Sequence, residues 1–551
     1  MNIQEKIKNW IKETLKIEEN FVLSHPKNIK NGDYSFFSPV ESANKFDRVL
    51  SENKIPEIEK IEVIGGFMNF YLSKEFFVES IRKIVEQDEN CGKSDLFEGQ
   101  KVLIDHTQPN PFKEFHIGHL MNNAIGESLV RIIKTNGADV TAVGYHGDVG
   151  LHVAKAIWGL MKNSPAEISS QILGEAYING ASAYEKDENS KNEILKINKK
   201  IYEKSDPEIN SLYEDGKEIS LKYFEIMYKR LDSHFRHHFY ESEVEKIGKE
   251  LVLKNVGKIF EESEGAIIFR GENFEPKTHT RVFINSEGIP TYEAKEVGLA
   301  KIKRDKWENY DKSITVTANE QDAFFDVVEV AIGEIFPEIK GKLKHISHGM
   351  LKLPTGKMSS RTGNIITAES LINQIKDRVL EKIKDRNFSD TEGDEISEIV
   401  AIGAIKYSIL KQAIGGDIIF DFDKSISFEG NSGPYLQYAY VRANSVLEKS
   451  RVAEIISSAD VPDFSSKNTA SEIISATPVT DLEKYLYRFP EIVERAGKEY
   501  APHYIVTYLT ELASIFNSFY AKEKIIDGND PSSPYKISLT QAVADILKSG
   551  L

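Results

Sequence analysis

The stretch KVLIDHTQPNPFKEFHIGHLMNN, residues 101–123, decides how this chain is read. Val102, Leu103 and Ile104 form a short apolar run, the mark of a buried strand. Pro109, Asn110 and Pro111 break it. Beyond Gly118, the apolar residues Ile125, Leu129, Ile132 and Ile133 recur at helical spacing, and Asn136-Gly137 supplies a stop. The segment therefore predicts a strand, a tight loop and a helix over 118–135, with His116, Ile117, Gly118 and His119 at the handover. A helix N-terminus offers unpaired backbone N–H groups and the positive end of the dipole, which suit a phosphate. Two histidines can donate to phosphate oxygens, and the glycine between them lets a flat ring approach the backbone. A structural histidine pair or a metal pair would leave the same four-residue trace, so a second element has to choose among them.

That element is Lys357-Met358-Ser359-Ser360-Arg361, preceded by Gly356 and followed by Thr362-Gly363-Asn364. A glycine-flanked segment with a lysine, hydroxyls and an arginine suits a triphosphate whose charge is met late, by a part that can move. Taken alone it reads equally as a solvated basic loop. Together and in this order, the HIGH and KMSSR stretches resemble the paired signatures of class I aminoacyl-tRNA synthetases. Asp105 to His119, the GDVG run at 147–150 and SFEGNSGPYLQYAYVR at 427–442 narrow the resemblance to the arginyl-tRNA synthetase family, over nearly the whole chain.

The resemblance implies a doubly wound parallel-sheet, Rossmann-like catalytic domain (99–390, with a helical insertion at about 160–240), an N-terminal α+β domain (1–98) and a C-terminal all-α anticodon-binding domain (391–551). It implies ATP, brought with Mg²⁺, L-arginine and tRNA(Arg) as substrates, no structural metal, and arginine activation that requires bound tRNA. Carried over residue by residue, His116, His119, Lys357 and Lys113 are the catalytic candidates. Gly118, Met350, Met358 and Ser359 join His116, His119 and Lys357 around ATP. Gln108, Pro109, Asn110, His119, Tyr292, Glu296 and Gln321 are the arginine candidates. Two positions depart from the wider patterns. Ser360 stands where KMSKS has its second lysine, and Lys113, just before the HIGH stretch, supplies a cation from the other side. Glu296 stands where the family has aspartate.

Tyr292 and Glu296 are four apart, so they share a helix face. A carboxylate accepts a guanidinium fork and a tyrosine ring lies along its plane; an ordinary surface pair has the same spacing. His234, His237 and His238 fall at i, i+3 and i+4, a spacing that can hold a metal, with no carboxylate or cysteine motif beside it.

Composition is that of a folded chain: 551 residues, 40% hydrophobic and 28% charged. A net charge of −16 has the wrong sign for coating nucleic acid indiscriminately but leaves room for a local basic face. The single cysteine, Cys91, permits neither an intramolecular disulfide nor a cysteine zinc site, and suits a reducing cytoplasm. Asn2 to Lys16 lacks a signal h-region and no apolar run is long enough for a membrane span, so a cytoplasmic protein away from membranes is expected; a monomer is expected too, although the sequence does not fix oligomeric state. In the N-terminal region, Phe67 and Phe70 are expected in a core, and Tyr34 is a candidate tRNA contact through resemblance to the domain that touches the tRNA elbow. In the C-terminal region, Tyr435, Tyr438 and Arg442 are the tRNA candidates; the tyrosines can stack on splayed bases or pack in a core. Ser457 to Thr480 reads as a long exposed loop.

Overall fold

Side chains alternate along a strand, so Val102 and Ile104 leave one face of Lys101–Asp105 and Leu103 the other. All three are buried, in two different cores. A strand covered on both faces belongs inside a parallel sheet. The computed structural model describes residues 3–15, 21–37, 55–352, 367–456 and 477–551. Its five-stranded sheet runs in the order 343–348, 312–318, 101–105, 139–146, 237–240, with every neighbouring pair parallel. In chain order the sheet grows one way from 101–105 through 139–146 to 237–240, then returns to add 312–318 and 343–348 on the other side. The winding thus reverses between 101–105 and 312–318, and a crevice opens at their carboxyl ends. Residues 106–119 and 319–321 emerge there.

One face of this sheet packs on the helices Ile117–Thr135, Ala368–Ile383 and Asp390–Leu410; the other packs on Tyr292–Lys306 and Asp322–Ile335. Ala401, Ala404, Ile405 and Ile409 join Leu371 and Ile375 in the first core. The compact unit that holds the sheet therefore comprises Ser94–Pro434 and Glu494–Val506, past the boundary read at 390. Periodicity announces a helix but not the core it joins.

Helices Leu151–Asn163, Ser170–Lys186, Glu188–Glu203 and Pro207–Arg230 form the insertion, with a core of their own around Ile157, Leu173 and Ile194. The insertion ends earlier than read. His237–Tyr240 is the edge strand of the parallel sheet, so His237 and His238 face opposite sides and the helical histidine trio does not form. No group of three metal-ligating side chains exists among the described residues. Arg281–Ile284 belongs to a separate antiparallel sheet with 261–263 and 266–269.

The second unit joins Met1–Lys93 to Tyr435–Val493 and Thr507–Leu551. Its antiparallel sheet orders the strands 34–37, 67–72, 58–64, and the turn between the last two has positive φ at Gly65 and Gly66, +60° and +85°. Tyr34 is fully buried; its hydroxyl donates to Glu491 and its ring lies 4.5 Å from that of His25. It cannot stack on a base, which corrects its reading as a tRNA contact. Phe70 is core, but Phe67 is 47% exposed against Phe37, contrary to its expected burial. Ser457 to 476 lies outside the described residues.

N- and C-terminal segments of this unit are tied by a buried ion pair. Lys74 Nζ donates to Glu483 Oε1 at 2.5 Å, and Tyr535 donates to the same oxygen at 2.6 Å. Glu483→Ala leaves the Lys74 ammonium buried and unpaired, a loss of about 3–5 kcal/mol. Urea unfolding followed by circular dichroism checks this; a change under about 1 kcal/mol contradicts it.

Candidate active site

His116 caps the helix Ile117–Thr135 from an extended conformation. Its Nδ1 accepts from Gly118 N–H at 3.1 Å, and His119 Nδ1 accepts from His116 N–H at 3.3 Å. This is a capping box made of two imidazoles, stacked with centroids 3.7 Å apart. A ring nitrogen that accepts carries no proton, so each neutral ring holds its proton on Nε2. Burial, aided by the Lys113 charge, lowers His116 to about 4. Burial, then His116 and Lys113, holds His119 well below the usual imidazole range. At neutral pH both are uncharged donors beside a helix N-terminus. They offer an anion directed hydrogen bonds rather than charge.

Gly118 has a specific task. A Cβ there would lie 2.9 Å from His116 Cε1 and 3.0 Å from its Nδ1. The flat ring that needs this glycine is His116's own. Gly118→Ala should push the imidazole off its cap at a stability cost of about 1 kcal/mol, which a thermal melt checks.

Thr367 forms a bridge with His116, and Ala368 N–H donates to Phe115 O at 2.8 Å. Met350 is pinned by its N–H to Asp417 Oδ1, 2.7 Å, in the short pairing of Leu351-Lys352 with Ile418-Ile419. Lys357, Met358 and Ser359 lie outside the described residues.

The loop after strand 101–105 is under backbone strain: Thr107 and Gln108 have φ of +74° and +43°. It is held by Thr107 N–H donating to Asn122 Oδ1 at 2.7 Å and by Gln108 Nε2 donating to Asp105 Oδ1 at 2.8 Å. Lys303 pairs with the other Asp105 oxygen at 2.7 Å. The Pro109 carbonyl accepts from His146 Nδ1 at 2.7 Å. Asn110 Oδ1 accepts from Gly147 N–H at 3.0 Å. A Cβ on Gly147 would meet Asn110 Oδ1 at 2.7 Å and Glu241 Oε1 at 3.0 Å, so glycine lets these groups share a corner. Asp148 fastens the same turn to the helix Glu241–Lys254 by accepting from Ser242 N–H at 2.9 Å, and to the helix Pro207–Arg230 by accepting from Lys217 at 2.6 Å.

Tyr292 opens its helix and is 63% exposed; Glu296 follows one turn later, half-buried. Among the described residues Glu296 has no hydrogen bond or ion pair. Burial raises it to about 8; Lys303 opposes this, and Asp105, Glu241 and Glu293 add to it. It lines a cleft with Lys303, Ser313 and Thr315. Gln321 ends the short turn after strand 312–318 and is exposed. Lys113 is lowered to about 8 by burial and Lys155, and its Nζ lies 4.9 Å from the Tyr177 ring. Its charge acts on His116, His119 and Glu241 alike, so the imidazole pair and this one carboxylate are within reach of the same cation.

Sequence reasoning missed Glu241. It follows directly on the edge strand His237–Tyr240, at a carboxyl end of the parallel sheet, and the missed strand hid it. A family model described as tRNA synthetases class I (R), catalytic domain, matches residues 80–422, more than half of the chain. The chain belongs to the arginyl class I tRNA synthetases.

A DALR anticodon binding domain model matches 436–551. The arginine–tRNA ligase of Borrelia hermsii is 30% identical over 563 residues, covering 98% of this chain and 94% of the relative. That of Clostridium perfringens is 29% identical, covering 100% and 97%. In fold, the chain is similar to the Thermus thermophilus arginyl-tRNA synthetase, with a TM-score of 0.78, 22% identity, and 100% and 98% coverage. This arginyl synthetase thus has the class I parallel-sheet catalytic fold and a helical C-terminal domain. In its helix Gly433–Ile456, Tyr438 is 42% exposed, Tyr435 is half-buried, and the Arg442 guanidinium lies 4.6 Å from the Tyr438 ring and 5.0 Å from that of Tyr520. No helix among the described residues is long and apolar enough to cross a membrane.

Proposed function

We propose that this chain is an arginine–tRNA ligase that activates L-arginine with ATP and transfers it to the 3′-terminal adenosine of tRNA(Arg). In the first step a carboxylate oxygen of arginine attacks the α-phosphorus of ATP, giving arginyl-adenylate and pyrophosphate. In the second, the adenosine 2′-hydroxyl attacks the acyl carbon and AMP leaves. ATP comes as its Mg²⁺ complex. There is no covalent intermediate on the protein; its work is alignment and charge stabilisation.

The reading is supported by one observation: two neutral imidazoles with Nε2–H donors at a helix N-terminus, at the carboxyl end of the sheet where its winding reverses. His116 and His119 hold the phosphates, with Gly118 leaving room for the cap and Met350 beside the nucleotide. Lys113 and Lys357 meet the charge on departing pyrophosphate, and Met358 and Ser359 complete the nucleotide contacts; Thr367 brings the chain beside His116. Arginine is seated by Gln108, Pro109, Asn110, His119, Tyr292, Glu296 and Gln321, with Glu241 as a second carboxylate. Gln108 and Pro109 act through the strained loop that their hydrogen bonds hold. Tyr435, Tyr438 and Arg442 face tRNA, the last held between tyrosine rings where a base can continue the stack. The enzyme works as a cytoplasmic monomer.

Substrate choice follows from Glu296. Citrulline has arginine's shape without its charge, so it cannot draw the proton from Glu296 as a guanidinium does and forgoes the ion pair. Pyrophosphate exchange with tRNA present should show kcat/KM for citrulline lower than for arginine by a factor of about 10⁴ or more. A ratio below about 10² would mean that the pocket does not read charge.

A further inference from the structure

Lys295 stands three residues after Tyr292 and one before Glu296, and is 5% exposed. Its ammonium donates to Glu241 Oε2 at 2.6 Å and lies 5.2 Å from the centroid of the Tyr292 ring. A carboxylate and an aromatic face are the receptors a guanidinium asks for. In this structure a side chain of the protein already holds them. The other oxygen of Glu241 is the one at the Asn110–Gly147 corner.

One turn further along the same helix is Glu245. Its Oε2 is buried with no hydrogen-bond partner among the described residues. A buried carboxylate oxygen without a donor is costly and calls for an explanation. Glu245 shares the helix Glu241–Lys254 with Glu241, one turn away, and the charges of Lys295 and then Lys249 both act on it. We propose that Lys295 has two berths, Glu241 in the free enzyme and Glu245 once a substrate guanidinium has taken Glu241. The proposal rests on the arginine reading of this pocket. Binding is then an exchange of cations, and neither state leaves Glu241 unpaired. The exchange also sharpens selectivity. A lysine substrate offers Glu241 the same ammonium it already has, so the swap gains nothing. Arginine offers a planar fork that makes two parallel bonds. Lys295 is thereby a specificity-determining residue that competes with the substrate.

Three variants test this by arginine KM in tRNA-dependent exchange and by thermal melts with and without arginine. Lys295→Met removes the competitor; the arginine KM should fall about tenfold, the preference for arginine over lysine should shrink, and arginine should raise the melting temperature more than in wild type. Lys295→Arg installs a stronger competitor and should raise the KM about tenfold. Glu245→Gln removes the second berth while keeping the Lys295–Glu241 pair; it should raise the KM with little change in the ligand-free melt. If Lys295→Met does not fold, the other two decide. The proposal is overturned if Lys295→Met and Lys295→Arg shift the KM in the same direction, or if Glu245→Gln leaves it unchanged. Glu296→Gln separates this failure from failure of the pocket itself. A KM that rises in Glu296→Gln but does not follow the pattern in the three variants rejects only the two berths; one unmoved by Glu296→Gln rejects the pocket.

Discussion

His119→Ala should lower kcat/KM for ATP by about 10²–10³, as measured by pyrophosphate exchange with arginine and tRNA present. Two losses combine in this variant. The Nε2–H donor to the phosphates disappears, and His116 N–H loses its acceptor at 3.3 Å, so the surviving imidazole is freed from its stack. The structural part is that of a helix cap, about 1 kcal/mol, and a thermal melt will show it as a small shift. His119→Asn keeps a polar group that can cap and donate, and should recover part of the activity and most of the stability. An alanine variant within threefold of wild type would mean that the imidazole pair is only a cap. Neutrality matters here. Both rings sit well below the usual imidazole range, so the variant's loss should be the same at pH 7 and at pH 8.5.

Glu296 governs the second large effect. Replacing it with glutamine removes the charge that a bound guanidinium would meet in a half-buried site, and the arginine KM should rise about 10²–10³-fold. The pH dependence carries more information. Free Glu296, pushed up to about 8 chiefly by burial, holds its proton below that pH. In the proposed pocket arginine binds the ionised form, so the proton must leave on binding. The wild-type arginine KM should therefore fall as pH rises from about 6 to about 8, by up to tenfold per unit, and then level. Glu296→Gln should flatten this slope while leaving the ATP KM in place. A KM that rose with pH over that interval would reverse the sign of the linkage and remove Glu296 from the arginine pocket.

The parts of this site that the sequence made legible are those written in local pattern. Strand 101–105, the break at Pro109–Pro111 and the helix ending at Asn136 each depend on residues within a few positions of one another. The same holds for the Tyr292 and Glu296 pair, one turn apart on a single helix. What stayed hidden depended on distant partners. Tyr34 looked available because nothing near it says that Glu491 will take its hydroxyl. The histidines at 237 and 238 suggested a helical face because HHFY has neither clean alternation nor an apolar run, although it pairs with strand 139–146. Glu241 was lost with it, since a carboxylate means little until the strand end that aims it is known. The helix 390–410 falls in the region expected to be all helical, yet its allegiance to the sheet core is set by packing against 368–383.

The central claim is that arginine is the amino acid this crevice activates, with both halves of the chemistry supplied by the same chain. Pyrophosphate exchange with tRNA present, run over the twenty amino acids, tests it most directly. Arginine should drive exchange, lysine and the neutral side chains should remain near background, and omission of tRNA should abolish the arginine signal. Exchange driven best by any other amino acid would contradict the account.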